Sequence, residues 1–262
     1  MKIAAVLLML SLAIMVHESG HYAAMKANDV RVVEVGLGFG PALWSCQLPD
    51  GSKFKLGLIL LGGYVEPVAE GPGSLRQAPV LARVEVTLAG MLMNVIAAAL
   101  ALIILGYVAR PGKGAAGLVQ KYGGWLPGWL APLAVGLIAP VAIWLVTPPL
   151  IVWKLCTEGR KFFASMAGPV GIFSLGRQQF GSLSAAAGFW AIINVGLAGC
   201  NLIPLMPFDG GQTLLPFVEM LGSRAAQAYI LESTFISLLF LAIVFLGDLW
   251  RLRKKPSRPD QQ

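Results

Sequence analysis

The sequence predicts an all-α polytopic membrane protein of about four transmembrane helices, with a membrane-associated β-hairpin between the first two. Three observations carry that prediction. Apolar residues make up 56% of the 262 residues, charged residues only 13%, and the mean hydropathy is +0.73. A soluble domain carries about a quarter charged residues, so this chain has too little polar surface to cover itself in water. Several apolar stretches approach or exceed the roughly 20 residues a helix needs to cross a hydrocarbon core. Between the first two lies a block of β-branched residues, glycines and turn chemistry, residues 30–67.

The net charge of +7 does not signal nucleic acid. The basic residues scatter, apart from Arg251, Arg253, Lys254, Lys255 and Arg258 at the C-terminus. No basic helix face and no aromatic–basic interleaving accompanies them. A basic cluster directly after an apolar run reads as a membrane-flanking tail drawn to anionic lipid headgroups. Cys46, Cys156 and Cys200 are far apart and odd in number. They form neither a disulfide framework nor a CxxC metal pair.

Taken in order, residues 3–27 read as a retained first membrane helix rather than a cleaved signal. No small-x-small site follows the apolar run promptly, and the helical pattern continues through the polar residues 17–25. Val32, Val33 and Val35 begin a strand, and Gly36, Gly38, Gly40 and Pro41 break it. Residues 42–48 form a second strand, Pro49-Asp50-Gly51 a turn, and residues 53–61 a third strand closed by Gly62-Gly63. Such a sheet offers an edge to which an extended peptide can add; a merely structural hairpin fits the same residues equally well.

Residues 84–108 form the second span, with Ala89-Gly90 and, unusually for lipid, Asn94. A glycine-rich connection, 110–128, leads to an apolar stretch, 130–155, interrupted by Pro132, Pro140, Pro148 and Pro149. The third and fourth spans are 185–205 and 229–249. The organisation expected is a membrane core over 1–110, a connection over 111–165, a second core part over 166–250 and a basic tail over 251–262.

The chemistry concentrates in few residues. The only two histidines stand in His17-Glu18-Ser19-Gly20-His21. On a helix, positions i and i+4 share a face, so both imidazoles can meet one metal ion. Glu18 projects to the side, where a carboxylate can take a proton from a metal-activated water; zinc lowers the pKa of bound water to about 7. Ionisable groups inside a membrane helix are costly and mark function. A catalytic zinc takes three protein ligands, and with no third histidine the last must be a carboxylate or thiolate. Asp209 is the strongest candidate, with Glu66, Glu85, Glu219 and Glu232 as competitors. It follows Pro204 and Pro207, which unwind a helix, and precedes Gly210-Gly211, which permit close backbone approach.

At these residues the sequence resembles the site-2 protease family of intramembrane zinc metalloproteases, and most the bacterial regulator-of-sigma-E type. His17-Glu18-Ser19-Gly20-His21 matches the family's first motif, which implies His17 and His21 as zinc ligands and Glu18 as catalytic base. Asn201, Pro204, Asp209 and Gly210 match its NxxPxxxxDG motif, which implies Asp209 as third ligand. Ala89-Gly90 and Asn94 resemble an AGPxxN element whose asparagine holds substrate backbone, with Met91 in place of the proline. Residues 30–64 resemble the family's membrane-re-entrant β-loop, and Gly168-Pro169-Val170-Gly171 a segment before the third core helix. The resemblance covers about 1–110 and 165–250. It implies PDZ domains between the second and third core helices, for which 111–165 is too short.

The resemblance further implies cleavage of membrane-spanning proteins or peptides, such as anti-sigma factors or remnant signal peptides, in a bacterial inner membrane. Substrate backbone would be held by Asn94, Asn201 and Pro204, with membrane lipid and no nucleic acid as the remaining surroundings. Because both zinc motifs end helices, those two helices must run the same way, so 130–155 is expected to be interfacial or re-entrant rather than one complete span. The resemblance places the site near the cytoplasm and the tail outside, whereas the basic tail itself favours the cytoplasm. A catalytically inactive metal-binding membrane protein or a zinc transporter is the competing class. A transporter needs ionisable residues along several spans, and an inactive relative more often lacks the base or a ligand.

Overall fold

The computed structural model describes residues 2–108 and 182–253, with scattered positions between 130 and 157. The Gly168–Gly171 motif, the basic tail beyond 253 and nearly all of the 111–165 connection lie outside the described residues. The described chain is mostly helical. Helix α1 is Lys2–Ala27, strands β1 and β2 are Val32–Gln47 and Lys53–Pro67, and α2 is Val80–Val108 after a short 3-10 turn, Leu75–Gln77. Helices α3, α4 and α5 follow as Leu183–Asn201, Asp209–Glu219 and Ser223–Arg253.

Three described helices are long and apolar enough to cross a membrane: Ala4–Ala27, Val80–Leu105 and Ser223–Trp250. The apolar part of α3, Ala185–Asn201, is shorter. The span expected over 185–205 therefore stops at Asn201, because residues 202–208 leave helical geometry before Pro204 and Pro207.

Helix α1 ends where Asp29 takes a left-handed φ of 56° and the Asn28 side chain donates back to the Ala24 carbonyl. Helix directions follow from the apolar clusters. Val6 and Ala13 of α1 cluster with Phe189 and Ile193 of α3, and further along α1 His17 meets Asp209 just beyond α3, so these helices run parallel. Met91 and Val95 of α2 cluster with Ala198 of α3, whereas the earlier Thr87 meets Thr213 beyond α3, so α2 runs opposite to both. The common direction required of the two motif-bearing helices is present.

The sheet differs from the three strands expected. Gly38 and Gly40 have φ of +81° and +84°, and they bend β1 without ending it. Strand β2 likewise runs on through Gly62-Gly63 to Pro67. The two strands pair antiparallel, with Trp44 opposite Leu56 and Leu37 opposite Gly63. Their bends also bring Glu34–Leu37 beside Lys53–Leu56. Four segments thus lie side by side, in the order 42–47, 53–57, 34–37 and 63–66, and the last is an edge. Glycine was read as a strand breaker; in this setting it is a hinge inside a continuous ladder.

Polar contacts fasten the sheet along α1. Near one end, Ser11 Oγ donates to the Leu60 carbonyl at 2.6 Å. Near the other, Asp50 in the turn takes Lys26 Nζ at 2.8 Å and the Tyr22 hydroxyl at 2.9 Å. At 1.5 Å per residue, Ser11 and Tyr22 are about 16 Å apart along the helix. The bends near Ser11 expose Phe39, Leu43, Trp44, Leu58 and Ile59.

Candidate metal centre

One turn of α1 sets both imidazoles on a single face, with ring centroids 4.6 Å apart and planes nearly perpendicular. Their Nε2 atoms are 3.0 Å apart. Asp209 is the first residue of α4, and its Oδ2 lies 2.9 Å from His17 Nε2 and 3.3 Å from His21 Nε2. A carboxylate at that position also meets the positive end of the helix dipole. All three residues are buried. Among the described residues they form the one group of three or more side chains able to hold a metal ion.

The other carboxylates considered from sequence are elsewhere. Glu219 pairs with Arg83, Glu85 accepts from the Asn28 amide, and Glu66 and Glu232 are exposed.

The donor set fits a cation. His21 Nδ1 lies 2.7 Å from the Val86 carbonyl, which can only accept, so Nδ1 carries the proton and Nε2 presents a lone pair. That lone pair faces His17 Nε2 at 3.0 Å and Asp209 Oδ2 at 3.3 Å. One proton can bridge a single contact of such a trio. A divalent cation satisfies all three at once.

Helix α2 builds the back wall. A Cβ added to Gly20 would meet the Ala89 carbonyl oxygen at 2.3 Å, so α1 and α2 are in backbone contact there. A Cβ added to Gly90 would stand 2.4 Å from His21 Nε2 and 2.8 Å from His17 Cε1. Gly90 is therefore what gives the imidazoles their space.

Helix α4 is tied to α2 on the same stripe. Thr87 and Thr213 hydroxyls are 2.7 Å apart, Thr213 Oγ1 donates to the Asp209 carbonyl at 2.8 Å, and Arg83 grips Glu219 at 2.5 and 3.3 Å. Positions 83, 87, 90 and 94 recur at helical spacing, so the stripe was present in the sequence although only its last two members were singled out there.

The irregular stretch before Asp209 is satisfied by α5. The Tyr229 hydroxyl donates to the Pro204 and Gly211 carbonyls at 3.2 and 3.1 Å, and Ser233 Oγ accepts from the Met206 amide at 3.2 Å. Broken backbone inside a membrane protein needs such internal partners. Tyr229 and Ser233, one turn apart, gave no motif signal.

Glu18 lines a cavity of about 260 Å3 together with His21, Asp209, Tyr64, Val65 and Gln212. Its side chain also lies against the sheet, with Cγ 3.7 Å from where a Cβ on Gly63 would stand. The 63–66 edge of the sheet thus faces the same cavity.

Asn94, Asn201 and Pro204 do not line that cavity. Asn94 is fully buried on α2, and neither atom of its amide has a hydrogen-bond partner among the described residues. Asn201 is the last residue of α3, and Pro204 is engaged by Tyr229. Asn194, not singled out from sequence, is also fully buried, with its amide donating to the Trp190 carbonyl and its oxygen unpaired among the described residues.

The family described as Peptidase family M50 matches residues 5–244. The chain belongs to that family. Similar relatives of this M50 chain include a Nostoc sp. protein named "Putative zinc metalloprotease all3971", 32% identical over 127 residues, or 43% of this chain and 35% of that protein. Protease RseP of Yersinia pestis is 39% identical over 69 residues, 26% of this chain and 15% of that protein. A Thermotoga maritima protein named "Putative zinc metalloprotease" is 36% identical over 101 residues, 35% of this chain and 20% of that protein. The chain thus spans about a third or less of the length of these curated relatives. Family membership and three membrane-length apolar helices make the M50 chain an integral membrane protein.

Proposed function

We propose that this chain is a zinc-dependent intramembrane endopeptidase, hydrolysing peptide bonds within or next to the transmembrane segments of other proteins. The observation that carries the proposal is the convergence of His17, His21 and Asp209 at 2.9–3.3 Å with Glu18 on the adjoining cavity. Zinc is the metal, held by those three side chains. When bound, it supplies Lewis acidity to the scissile carbonyl and to the attacking water. Glu18 removes the proton from that water and passes one to the leaving amine. His21 keeps its lone pair on the metal side because Val86 fixes its tautomer.

A peptide bond inside a helix is hydrogen-bonded to its own chain, so the substrate must unwind to be cut. The 63–66 edge offers it backbone partners in extended form, directly beside Glu18. Asn94, Asn201 and Pro204 stay outside the cavity beside Glu18, so a role for them in holding substrate backbone requires the substrate to reach beyond it. Four spans are proposed, α3 being the fourth. The apolar side chains exposed at the sheet bends, about 16 Å along α1 from the Tyr22 level, support insertion of the hairpin into the lipid. The bacterial inner membrane is the proposed location, with anti-sigma factors or remnant signal peptides as the substrate class.

An inactive metal-binding protein or a zinc transporter accounts for the three ligands but leaves Glu18 and the adjoining sheet edge without a role. The test is cleavage of a membrane-spanning substrate in proteoliposomes by wild type and Glu18→Gln. Activity in wild type, reduced at least 100-fold in the variant with zinc retained, supports the proposal. Equal rates in the two proteins would sink it.

A further inference from the structure

A second cavity of about 360 Å3 adjoins the first, and Pro67, Leu75, Thr87 and Gln212 line both. It lies between the end of β2, the N-terminal turn of α2, α4 and Ile230 of α5. Its walls are largely apolar, but three charges stand on it: Arg76, Arg83 and Glu219. Glu219 is already held by both Arg83 nitrogens. Arg76 is exposed and has no carboxylate within ion-pair distance among the described residues. The cavity therefore carries an excess positive charge, presented by the residue type best suited to a carboxylate.

Its position relative to the sheet sets what can reach it. The edge segment 63–66 runs directly into Pro67, Val68 and Ala69, which form one wall. A strand added to that edge and continued in the same line enters this cavity. At about 3.3 Å per residue it does so about three to five residues from the bond beside Glu18. The cavity is flanked by the start of α2, where the apolar span begins, so a substrate emerging there is passing from lipid to the aqueous boundary.

We propose that this second cavity is a specificity subsite for an acidic residue in the juxtamembrane part of the substrate, with Arg76 as the recognising group. The inference rests on the proteolytic reading given above and deepens it: the preferred substrate carries Asp or Glu about three to five residues from the cleaved bond, on the side that leaves the membrane.

The test uses proteoliposomes of phosphatidylcholine and model membrane-spanning substrates identical except for Asp, Asn or Lys placed three, four or five residues from the cleaved bond on either side. Cleavage kcat/KM is measured for wild type, Arg76→Gln and Arg76→Glu; Arg83 is left intact because it holds α4. The expected result is an Asp-over-Lys preference of about fivefold in wild type at one position, a scale set by partly exposed ion pairs. It should be lost in Arg76→Gln and inverted in Arg76→Glu. A wild type indifferent to charge, or an undiminished preference in Arg76→Glu, overturns the subsite while leaving proteolysis standing. Zinc-loaded wild type that cleaves none of the substrates overturns the proteolytic reading and the subsite with it. A preference erased by adding anionic lipid assigns the cavity to a headgroup phosphate and overturns the substrate assignment.

Discussion

Replacing Gly90 by alanine should separate metal binding from folding. The new Cβ would stand 2.4 Å from His21 Nε2, 2.6 Å from His21 Cε1 and 2.8 Å from His17 Cε1. Carbon atoms rest at about 3.5–4.0 Å from their neighbours, so both rings must retreat by about 1 Å. Metal–ligand distances tolerate only about 0.2 Å. Disturbing the groups that merely orient a ligand costs 10–100-fold in affinity, and displacing two ligands together belongs at the upper end, about 100-fold or roughly 2.7 kcal/mol. The metal-free fold behaves differently. Alanine gains about 1 kcal/mol of helix propensity over glycine, against roughly 1–3 kcal/mol of overpacking, leaving a net loss of about 0–2 kcal/mol. The assay is zinc affinity by chelator competition in detergent, alongside helix content and thermal unfolding. Gly196→Ala is the control, because a Cβ there has no neighbour within 4 Å among the described residues. Wild-type zinc affinity in Gly90→Ala would refute the packing argument for the site.

The Arg83–Glu219 pair gives a pH-dependent prediction. Arg83 holds the Glu219 carboxyl below its ordinary value of 4.5, so the pair stabilises the fold above that value and loses its contribution as pH falls through the lowered one. Wild type should exceed Glu219→Gln by about 1 kcal/mol near neutrality, a size appropriate to a partly exposed pair, and the gap should close under acid; a gap unchanged down to low pH contradicts this. Ser11→Ala removes a buried hydroxyl that donates to the Leu60 carbonyl. It should cost about 1–2 kcal/mol and raise hydrogen exchange around residues 58–62, while unchanged exchange there would show that the sheet is held by other contacts.

The metal site was legible because it depends on periodicity and scarcity. Two histidines four apart on an apolar helix can only share a face, and the proline-broken, glycine-rich surroundings of Asp209 mark a backbone that leaves the helix. Asp209 was already preferred over Glu66, Glu85, Glu219 and Glu232 on that ground; what the fold adds is the approach of its carboxylate to both imidazoles, which is set by packing between helices far apart in sequence. The sheet was half legible. Its strand formers and its Pro49-Asp50-Gly51 turn were visible, but Gly38 and Gly40 were read as ends when their positive φ values make them bends. Pairing decides between those outcomes, and pairing is non-local. Thr213, Tyr229 and Ser233 left no signature, since single hydroxyls on apolar helices carry no pattern of their own. Their roles appear only when α4 and α5 are placed against α2 and the 202–208 stretch.

Zinc content per chain in detergent-purified wild type, His21→Ala and Asp209→Ala tests the three-ligand site most directly. One zinc per wild-type chain, reduced in both variants while helix content is kept, is the result predicted from the three converging side chains. No zinc in wild type prepared without chelators, or full occupancy in Asp209→Ala, would contradict it.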